Sequence, residues 1–167
     1  MTRSGPTGRN GGPGRVAEVR LEPVGQDNRK AILALELAED QADYLASNAE
    51  SLAEARRDRN ARPRAVLADN RVVGFLMYDA GEDDGEALIY RFMIDRREQG
   101  QGYGRAALAA LVQEVEALGR ARDILVCYML ENERARGFYQ SIGFVEEGED
   151  EDGEMMARLS FERIRRG

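Results

Sequence analysis

A glycine-rich segment between an apolar strand and a helix constrains this chain more than any other feature. The segment reads Gln-Gly-Gln-Gly-Tyr-Gly-Arg over residues 99–105. Residues 87–94 before it are mostly apolar and predict a strand, and residues 105–112 after it predict a helix. The first N–H groups of a helix have no partner within it, and glycines let a bulky anion approach them closely. The segment therefore predicts a site for a phosphate or pyrophosphate group.

The glycine spacing leaves a second interpretation open. It matches neither the Gly-x-Gly-x-x-Gly pattern of dinucleotide-binding folds nor a P-loop, since no Gly-Lys-Ser or Gly-Lys-Thr follows. The same glycines could serve only to turn the chain sharply between the strand and the helix. Other parts of the chain distinguish the two interpretations.

Composition limits the chemistry that the chain can perform. Its 167 residues include no histidine, which excludes Ser-His and Cys-His catalysis and histidine metal ligands. Acid–base steps must then use carboxylates, tyrosine, cysteine, the backbone or water. The net charge of −7 argues against nucleic acid as a partner and permits a cationic substrate. Cys127 is the single cysteine, so an internal disulfide is excluded, and its apolar neighbours favour a buried structural thiol.

The organisation of the chain points to one domain. Residues 1–15 are rich in glycine and proline, and we expect a disordered tail there before a domain over residues 16–162. No apolar run approaches membrane-spanning length and no signal peptide is evident, so we expect a cytoplasmic protein without a membrane partner.

Hydrophobic periodicity predicts seven strands and four helices. Strands are expected at residues 16–23, 65–68, 72–78, 87–94, 124–129, 145–149 and 155–160. Helices are expected after Asp27, near residues 42–59 with Pro63 as the end of that region, from the glycine segment to near Gly119, and over residues 134–142 before Gly143. This order predicts an α/β domain with a mixed sheet.

Two groups of residues resemble signatures of the GCN5-related N-acetyltransferases (GNAT family). Gln99, Gly102 and Gly104 match the family's acetyl-CoA signature, Gln/Arg-x-x-Gly-x-Gly/Ala. The family's second element is an Asn followed by Ala, Phe-Tyr and Gly-Phe, and it is matched by Asn132, Ala135, Phe138, Tyr139, Gly143 and Phe144. The resemblance covers residues 16–160. A closer similarity, to bacterial spermine/spermidine acetyltransferases, rests on residues 47–55 and 91–95.

The resemblance implies a fold and a cofactor. The expected fold is a single GNAT-like α/β domain whose mixed, mostly antiparallel sheet splays between strands 4 and 5, flanked by about four helices. Acetyl-CoA would lie in that cleft as acyl donor, and no metal is implied. Arg105 could instead be a solvated helix residue, and Asn132 could cap a helix. The implied CoA-binding residues are Phe92, Met93, Ile94, Gln99, Gly100, Gln101, Gly102, Tyr103, Gly104, Arg105 and Asn132.

The resemblance also implies an acid but no clear base. Tyr139 matches the family's usual general acid, which protonates the departing thiolate; its alternative is a packing residue. Arg91 stands close to where many relatives carry a carboxylate, so direct deprotonation from that position is in doubt. Weaker candidates for acceptor binding or water-mediated proton removal are Glu36, Glu39, Asp40, Glu86 and Tyr90, and for a polycation also Glu82, Asp83 and Asp84.

The implied activity is acetyl-CoA-dependent N-acetylation of a primary amine by direct attack on the thioester. A polyamine or diamine such as spermidine or spermine is the leading acceptor. Another amine, such as an antibiotic, an amino acid or a protein N-terminus, is the alternative within the class. A non-catalytic acyl-CoA-binding regulatory module is the alternative outside it, because fold does not fix function. The family also makes a homodimer possible.

Overall fold

The strands and helices follow one another in the predicted order, with one further helix at the end. The computed structural model describes residues 17–81 and 85–166. Residues 1–15 and the acidic Glu82, Asp83 and Asp84 lie outside the described residues. The strands are β1 (Val19–Pro23), β2 (Ala61–Ala68), β3 (Arg71–Asp79), β4 (Glu86–Ile94), β5 (Asp123–Met129), β6 (Val145–Glu149) and β7 (Glu154–Ser160). The helices are α1 (Gln26–Leu33), α2 (Asn48–Ala55), α3 (Tyr103–Leu118), α4 (Glu133–Ile142) and α5 (Phe161–Arg166).

The strands form one mixed sheet with a weak joint near its middle. Its seven strands follow the spatial order β1-β2-β3-β4-β5-β7-β6. Every neighbouring pair is antiparallel except β4 and β5, which are parallel. The β4–β5 ladder joins only residues 86–89 to residues 123–126, and the two strands diverge beyond it. The predicted splay between strands 4 and 5 is therefore confirmed.

Apolar side chains cover both faces of the sheet. On one face, α3 buries Leu108, Leu111 and Val115 against the strands. On the other face, α1 and α2 contribute Ile32 and Leu52 to a second, smaller core. The sheet thus lies between two layers of helix, as its apolar strands require.

A glycine fixes the spacing between β3 and β4. A Cβ at Gly74 would lie 2.5 Å from the carbonyl oxygen of Met93 and 2.7 Å from the side chain of Ile94. Only glycine fits there without displacing the strand that carries Met93 and Ile94. Gly74 therefore helps to position a strand that also forms one wall of the functional cleft.

The second helix is much shorter than the predicted residues 42–59. α2 begins after Ser47, whose hydroxyl accepts the N–H of Glu50 at 3.2 Å while the Glu50 carboxylate accepts the N–H of Ser47 at 2.9 Å. This reciprocal capping box starts the helix at Asn48. The predicted role of Pro63 is also wrong, because Pro63 lies inside β2 opposite Met77. The β1 ladder stops at Arg64, so β2 has a strand partner on one side only at that proline.

The last helix, α5, is absent from the sequence prediction. Its six residues carry no helical repeat of apolar positions, and only Phe161 is buried. Arg165 pairs with Glu116 of α3 at 2.9 Å and ties α5 to the domain. Among the helices that the structure describes, none is both long and apolar enough to cross a membrane.

Candidate active site

The divergence of β4 and β5 opens a cleft of about 650 Å³. Tyr90 is an extra residue on β4, since Ile89 pairs with Tyr78 of β3 and Arg91 with Met77. This β-bulge bends β4 at the point where its ladder with β5 ends. Past Ile89, the edge of β4 that faces β5 has no strand partner within the described sheet. Its peptide groups are thus open to hydrogen bonding with a ligand.

The glycine turn presents the start of α3 to this cleft. Gly100 and Gly102 have positive φ values of 77° and 82°, which L side chains rarely adopt. Gly102 is the N-cap of α3, and no side chain caps the helix. The N–H of Ala106 bonds to the Gly102 carbonyl at 3.1 Å, so the N–H groups of residues 103–105 have no partner inside the helix. This is the geometry that binds phosphate groups.

Space for a ligand lies over the turn itself. A Cβ built on Gly102 meets no atom within 4 Å, so the backbone there faces open space. Gly104 serves a different purpose, because a Cβ at that position would lie 3.2 Å from the ring of Phe138 in α4. Gly104 lets α3 and α4 pack closely and brings the two predicted signatures together.

Most of the predicted CoA-binding residues line the cleft. Gln101 is the exception; it is exposed, and its amide donates to Glu98 at 3.4 Å. The guanidinium of Arg105 donates to the Ser141 carbonyl at 3.1 Å and hydroxyl at 3.0 Å, so it also ties α3 to α4. The predicted residues that line the cleft are Phe92, Met93, Ile94, Gln99, Gly100, Gly102, Tyr103, Gly104, Arg105 and Asn132.

A polar network that the sequence did not indicate crosses the mouth of the cleft. The Gln99 amide donates to the Ile94 carbonyl at 3.0 Å and to Gln41 at 2.9 Å. Arg134 of α4 donates to the Gln99 side chain and pairs with Asp40 at 3.0 Å. The loop after α1, the glycine turn and α4 are thereby joined. Arg134 lies between Asn132 and Ala135 of the second signature. This position could have identified Arg134 as a residue of the site.

Asn132 caps α4, as its structural interpretation predicts. Its side-chain oxygen accepts the N–H of Ala135 at 3.0 Å. Because the cap uses the oxygen, the Asn132 amide group is left for a second partner in the cleft. Its contact with CoA stays a prediction.

Tyr139 lies in an aromatic cluster beneath the cleft. Its side chain is only 7% exposed, its ring stacks on Tyr128 at 5.8 Å, and Phe144 meets it edge-on at 5.2 Å. Burial, with the neighbouring Tyr128, raises the pKa of Tyr139 above its ordinary value. Its hydroxyl makes no hydrogen bond to any residue in the described ranges, although Tyr139 lines the cleft. The phenol therefore stays protonated at neutral pH with its proton unshared.

The β4 wall carries Tyr90 and Arg91. The Tyr90 hydroxyl lies 3.2 Å from Asp79 and 3.3 Å from Asp58, and burial together with these carboxylates raises the pKa of Tyr90. A phenol held protonated in this way is unsuited to removing a proton. Arg91 pairs with Glu54 at 3.2 Å, while its Nε is buried without a partner among the described residues.

The opposite wall carries a group that sequence reasoning missed. Cys127, Asp150 and Glu154 all line the cleft, and their sulfur and carboxylate oxygens lie within 4.8 Å of one another. Burial and the two carboxylates raise the pKa of Cys127 to about 11, so its thiol stays neutral. The prediction of a buried thiol is wrong, because Cys127 follows the last residue of β5 that pairs with β4 and is partly exposed. The two acids follow one another in a run of charges that resembles an ordinary surface turn.

Of the residues predicted to bind the acceptor, Tyr90 lines the cleft, whereas the four acidic residues lie outside it. Glu36 pairs with Arg96, and Asp40 with Arg134. Glu86 pairs with Arg158 at the start of β4, where β4 and β5 are still joined and no cleft exists. Glu36, Asp40 and Glu86 thus pair with arginines that are distant in the sequence, and the sequence alone does not reveal such pairs. The residues that do not line the cleft are Glu36, Glu39, Asp40 and Glu86.

Comparisons with known proteins agree on one family. The model of the acetyltransferase (GNAT) family matches residues 29–144. The spermine/spermidine N(1)-acetyltransferase of Bacillus subtilis strain 168 is 33% identical over 143 residues, 81% of this chain and 94% of that protein. A crystal structure of an aminoglycoside acetyltransferase in complex with coenzyme A superposes with a TM-score of 0.74 at 14% identity, covering 89% of this chain and 98% of that one. An acetyltransferase from Thermus thermophilus superposes with a TM-score of 0.65 at 20% identity, covering 87% and 99%.

Proposed function

Because the chain belongs to the GNAT family of acetyltransferases, we propose that it transfers the acetyl group of acetyl-CoA to a primary amine, with a polyamine or diamine as acceptor. One observation carries this proposal: an uncapped helix N-terminus with two positive-φ glycines opens into a cleft between diverging strands. The same cleft holds a buried, protonated phenol.

The donor would lie along β4 and the glycine turn. The N–H groups at the start of α3 bind the pyrophosphate, where Gly102 leaves room for close approach. The unpaired edge of β4 at Phe92, Met93 and Ile94 offers peptide groups to the pantetheine arm and the acetyl carbonyl. Asn132 adds its free amide hydrogens, and Arg105 adds positive charge at the cleft's edge.

Tyr139 would act as the general acid. When the amine attacks the thioester carbon, the C–S bond breaks and the departing thiolate needs a proton. The Tyr139 hydroxyl holds its proton and shares it with no described residue, so it is available to the sulfur. The aromatic cluster fixes the ring without using the hydroxyl.

A polyamine acceptor is supported by the Bacillus subtilis relative, whose name states spermine and spermidine. The net charge of −7 favours the approach of a polycation. Arg91 supports a second candidate, an amine that also carries a carboxylate, since its buried Nε has no partner in the described part of the chain. That group could donate to the carboxylate of an amino acid.

A panel of amines tests the proposal directly. Release of free CoA thiol is followed with acetyl-CoA and spermidine, spermine, a diamine, an amino acid and an aminoglycoside. We expect the highest kcat/KM with a polyamine. Greater turnover of the amino acid would favour the second candidate. No thiol release with any amine, in a protein that binds CoA by calorimetry, would instead indicate a binding module.

A further inference from the structure

A carboxylate pair on the β5–β7 wall of the cleft forms no ion pair with a cation among the described residues. The Asp150 carboxylate accepts the N–H of Asp152 at 3.0 Å and of Glu154 at 2.9 Å, and the Cys127 sulfur lies within 4.8 Å of it. Asp150 is thus fixed in place. The Glu154 carboxylate has no hydrogen bond or ion pair within residues 17–81 and 85–166. Of the arginines that line the cleft, Arg91 and Arg134 pair with other acids, and Arg105 donates to Ser141.

The pair lies beside the point where the sheet opens. Glu154 is opposite Met129 in the β5–β7 ladder, and Cys127 follows Val126, the last β5 residue joined to β4. Both carboxylates therefore stand on the wall that faces β4 across the cleft.

A second observation in the same cleft points to a ligand site. Tyr139 is more than nine-tenths buried, lines the cleft, and leaves its hydroxyl without a hydrogen-bond partner in the described residues. The hydroxyl oxygen is accessible from the cleft, so a group that enters with a ligand can bond to it. A cation held by the acids and a group meeting the phenol would occupy one continuous space.

The chemistry of the wall favours an ammonium ion over a metal. Cys127 offers one soft sulfur and the two acids offer hard carboxylate oxygens, a mixed set that neither soft nor hard metal ions prefer. Two carboxylate oxygens beside a neutral thiol instead suit the N–H groups of an alkylammonium ion. On the basis of the proposed function, we propose that Asp150 and Glu154 bind the acceptor's ammonium group. Glu154 then takes a proton from that ammonium group.

The proton balance follows from these roles. The ammonium ion gives one proton to Glu154, which passes it to solvent, and the neutral nitrogen attacks the thioester carbon. The C–N bond forms, the C–S bond breaks, and the thiolate takes the phenolic proton of Tyr139. The nitrogen loses its second proton to water, and water reprotonates Tyr139. One transfer thus yields an amide, a thiol and one released proton.

Replacement of Glu154 tests this assignment against a matched neighbour. Glu154→Gln removes the proton acceptor, whereas Glu151→Gln removes the same charge from an exposed position of the same turn. With spermidine we expect kcat of Glu154→Gln to fall by ~10²–10⁴-fold. CoA affinity by calorimetry should stay unchanged, and Glu151→Gln should keep native kcat. Asp150→Asn should raise the spermidine KM more than the acetyl-CoA KM.

A second acceptor separates proton removal from a structural effect. Trifluoroethylamine is already unprotonated at neutral pH, so Glu154→Gln should lose much less activity with it than with spermidine. Equal losses of kcat with both amines, or native kcat in Glu154→Gln, would overturn the role of Glu154. The proposed function would still stand in that case, because the native enzyme acetylates spermidine. Loss of native activity on addition of EDTA would identify a metal instead and overturn it. Absence of thiol release by the native protein with any amine would overturn the proposed function and this inference together.

Discussion

In Tyr139 and Gly102, the feature proposed to act in catalysis or binding differs from the feature that supports the fold. Tyr139 packs through its ring, while its hydroxyl has no described protein partner. Gly102 faces open space, yet its backbone adopts a φ that other residues resist. Packing therefore does not require the Tyr139 hydroxyl or the open space over Gly102. Each can be altered with little change to the packing.

Tyr139→Phe should reduce kcat by ~10²–10⁴-fold and leave the KM for acetyl-CoA and the unfolding midpoint nearly unchanged. The substitution keeps the ring and removes only the unshared proton. Because the pKa of Tyr139 lies above the ordinary value, the native kcat should decline only at high pH, and that limb should flatten in the variant. Tyr44→Phe, at a half-exposed position of the rim, is the control. Native kcat in Tyr139→Phe would make Tyr139 a packing residue.

Gly102→Val should abolish CoA binding while the protein remains folded. A Cβ meets no protein atom there but occupies the space that the pyrophosphate needs, and φ near 82° adds strain of about 1–3 kcal/mol. Gly119→Val is matched for strain, since Gly119 has φ of 67° and open surroundings at the far end of α3. Calorimetry should show native CoA affinity in Gly119→Val only. Equal affinity in both variants would place the pyrophosphate elsewhere.

At the scale of elements, one buried acid joins the end of β4 to the loop after α1. Asp95 is 2% exposed; its carboxylate accepts the N–H of Glu36 at 3.0 Å and several donors from Arg97. The side chain of Arg97, assisted by backbone N–H groups, lowers the pKa of Asp95 from 3.8 to about 2. This anchor holds the end of β4 against the loop after α1, shortly before the glycine turn.

The lowered pKa predicts acid sensitivity. The unfolded chain binds the Asp95 proton more tightly than the folded one, so this stabilisation of about 2 kcal/mol is complete above pH 3.8 and is lost as pH falls to about 2. Urea unfolding should therefore show a lower midpoint for Asp95→Asn at neutral pH, with a smaller further decline between those pH values. Exposed Asp43→Asn should follow the native protein. Parallel pH curves for native and Asp95→Asn would contradict the anchor.

How much of the site could be predicted depended on distance along the chain. The glycine turn, the Asn132 cap and Tyr139 belong to local patterns of a strand, turn or helix, and the structure places them in one cleft. Asp150 and Glu154 meet Cys127 only through the β5–β7 register, which periodicity does not specify. Arg134 reaches Asp40 across a gap of 94 residues, and ion pairs of this kind leave no local signature.

At the scale of the whole molecule, the sheet consists of two parts with unequal connections. β1 to β4 form continuous antiparallel ladders, as do β5 to β7, but only a four-residue parallel ladder joins the two parts. Arg158 supports that joint from the closed end by binding Glu86 and Asp123. The general plan followed from strand order, whereas the length of this ladder depends on the bulge at Tyr90.

In the proposed binding mode, CoA lies across the end of the short ladder and links the two half-sheets. A ligand that bonds to β4 and contacts α4 replaces the missing hydrogen bonds, so bound CoA should slow amide hydrogen exchange in residues 90–94 and 127–129 while exchange in β2 stays unchanged. At one hundred times its Kd, CoA should add about 2.7 kcal/mol to the free energy of unfolding. Uniform slowing across the sheet would contradict a local link. The free energy of unfolding should therefore rise with the concentration of the protein's own acyl donor.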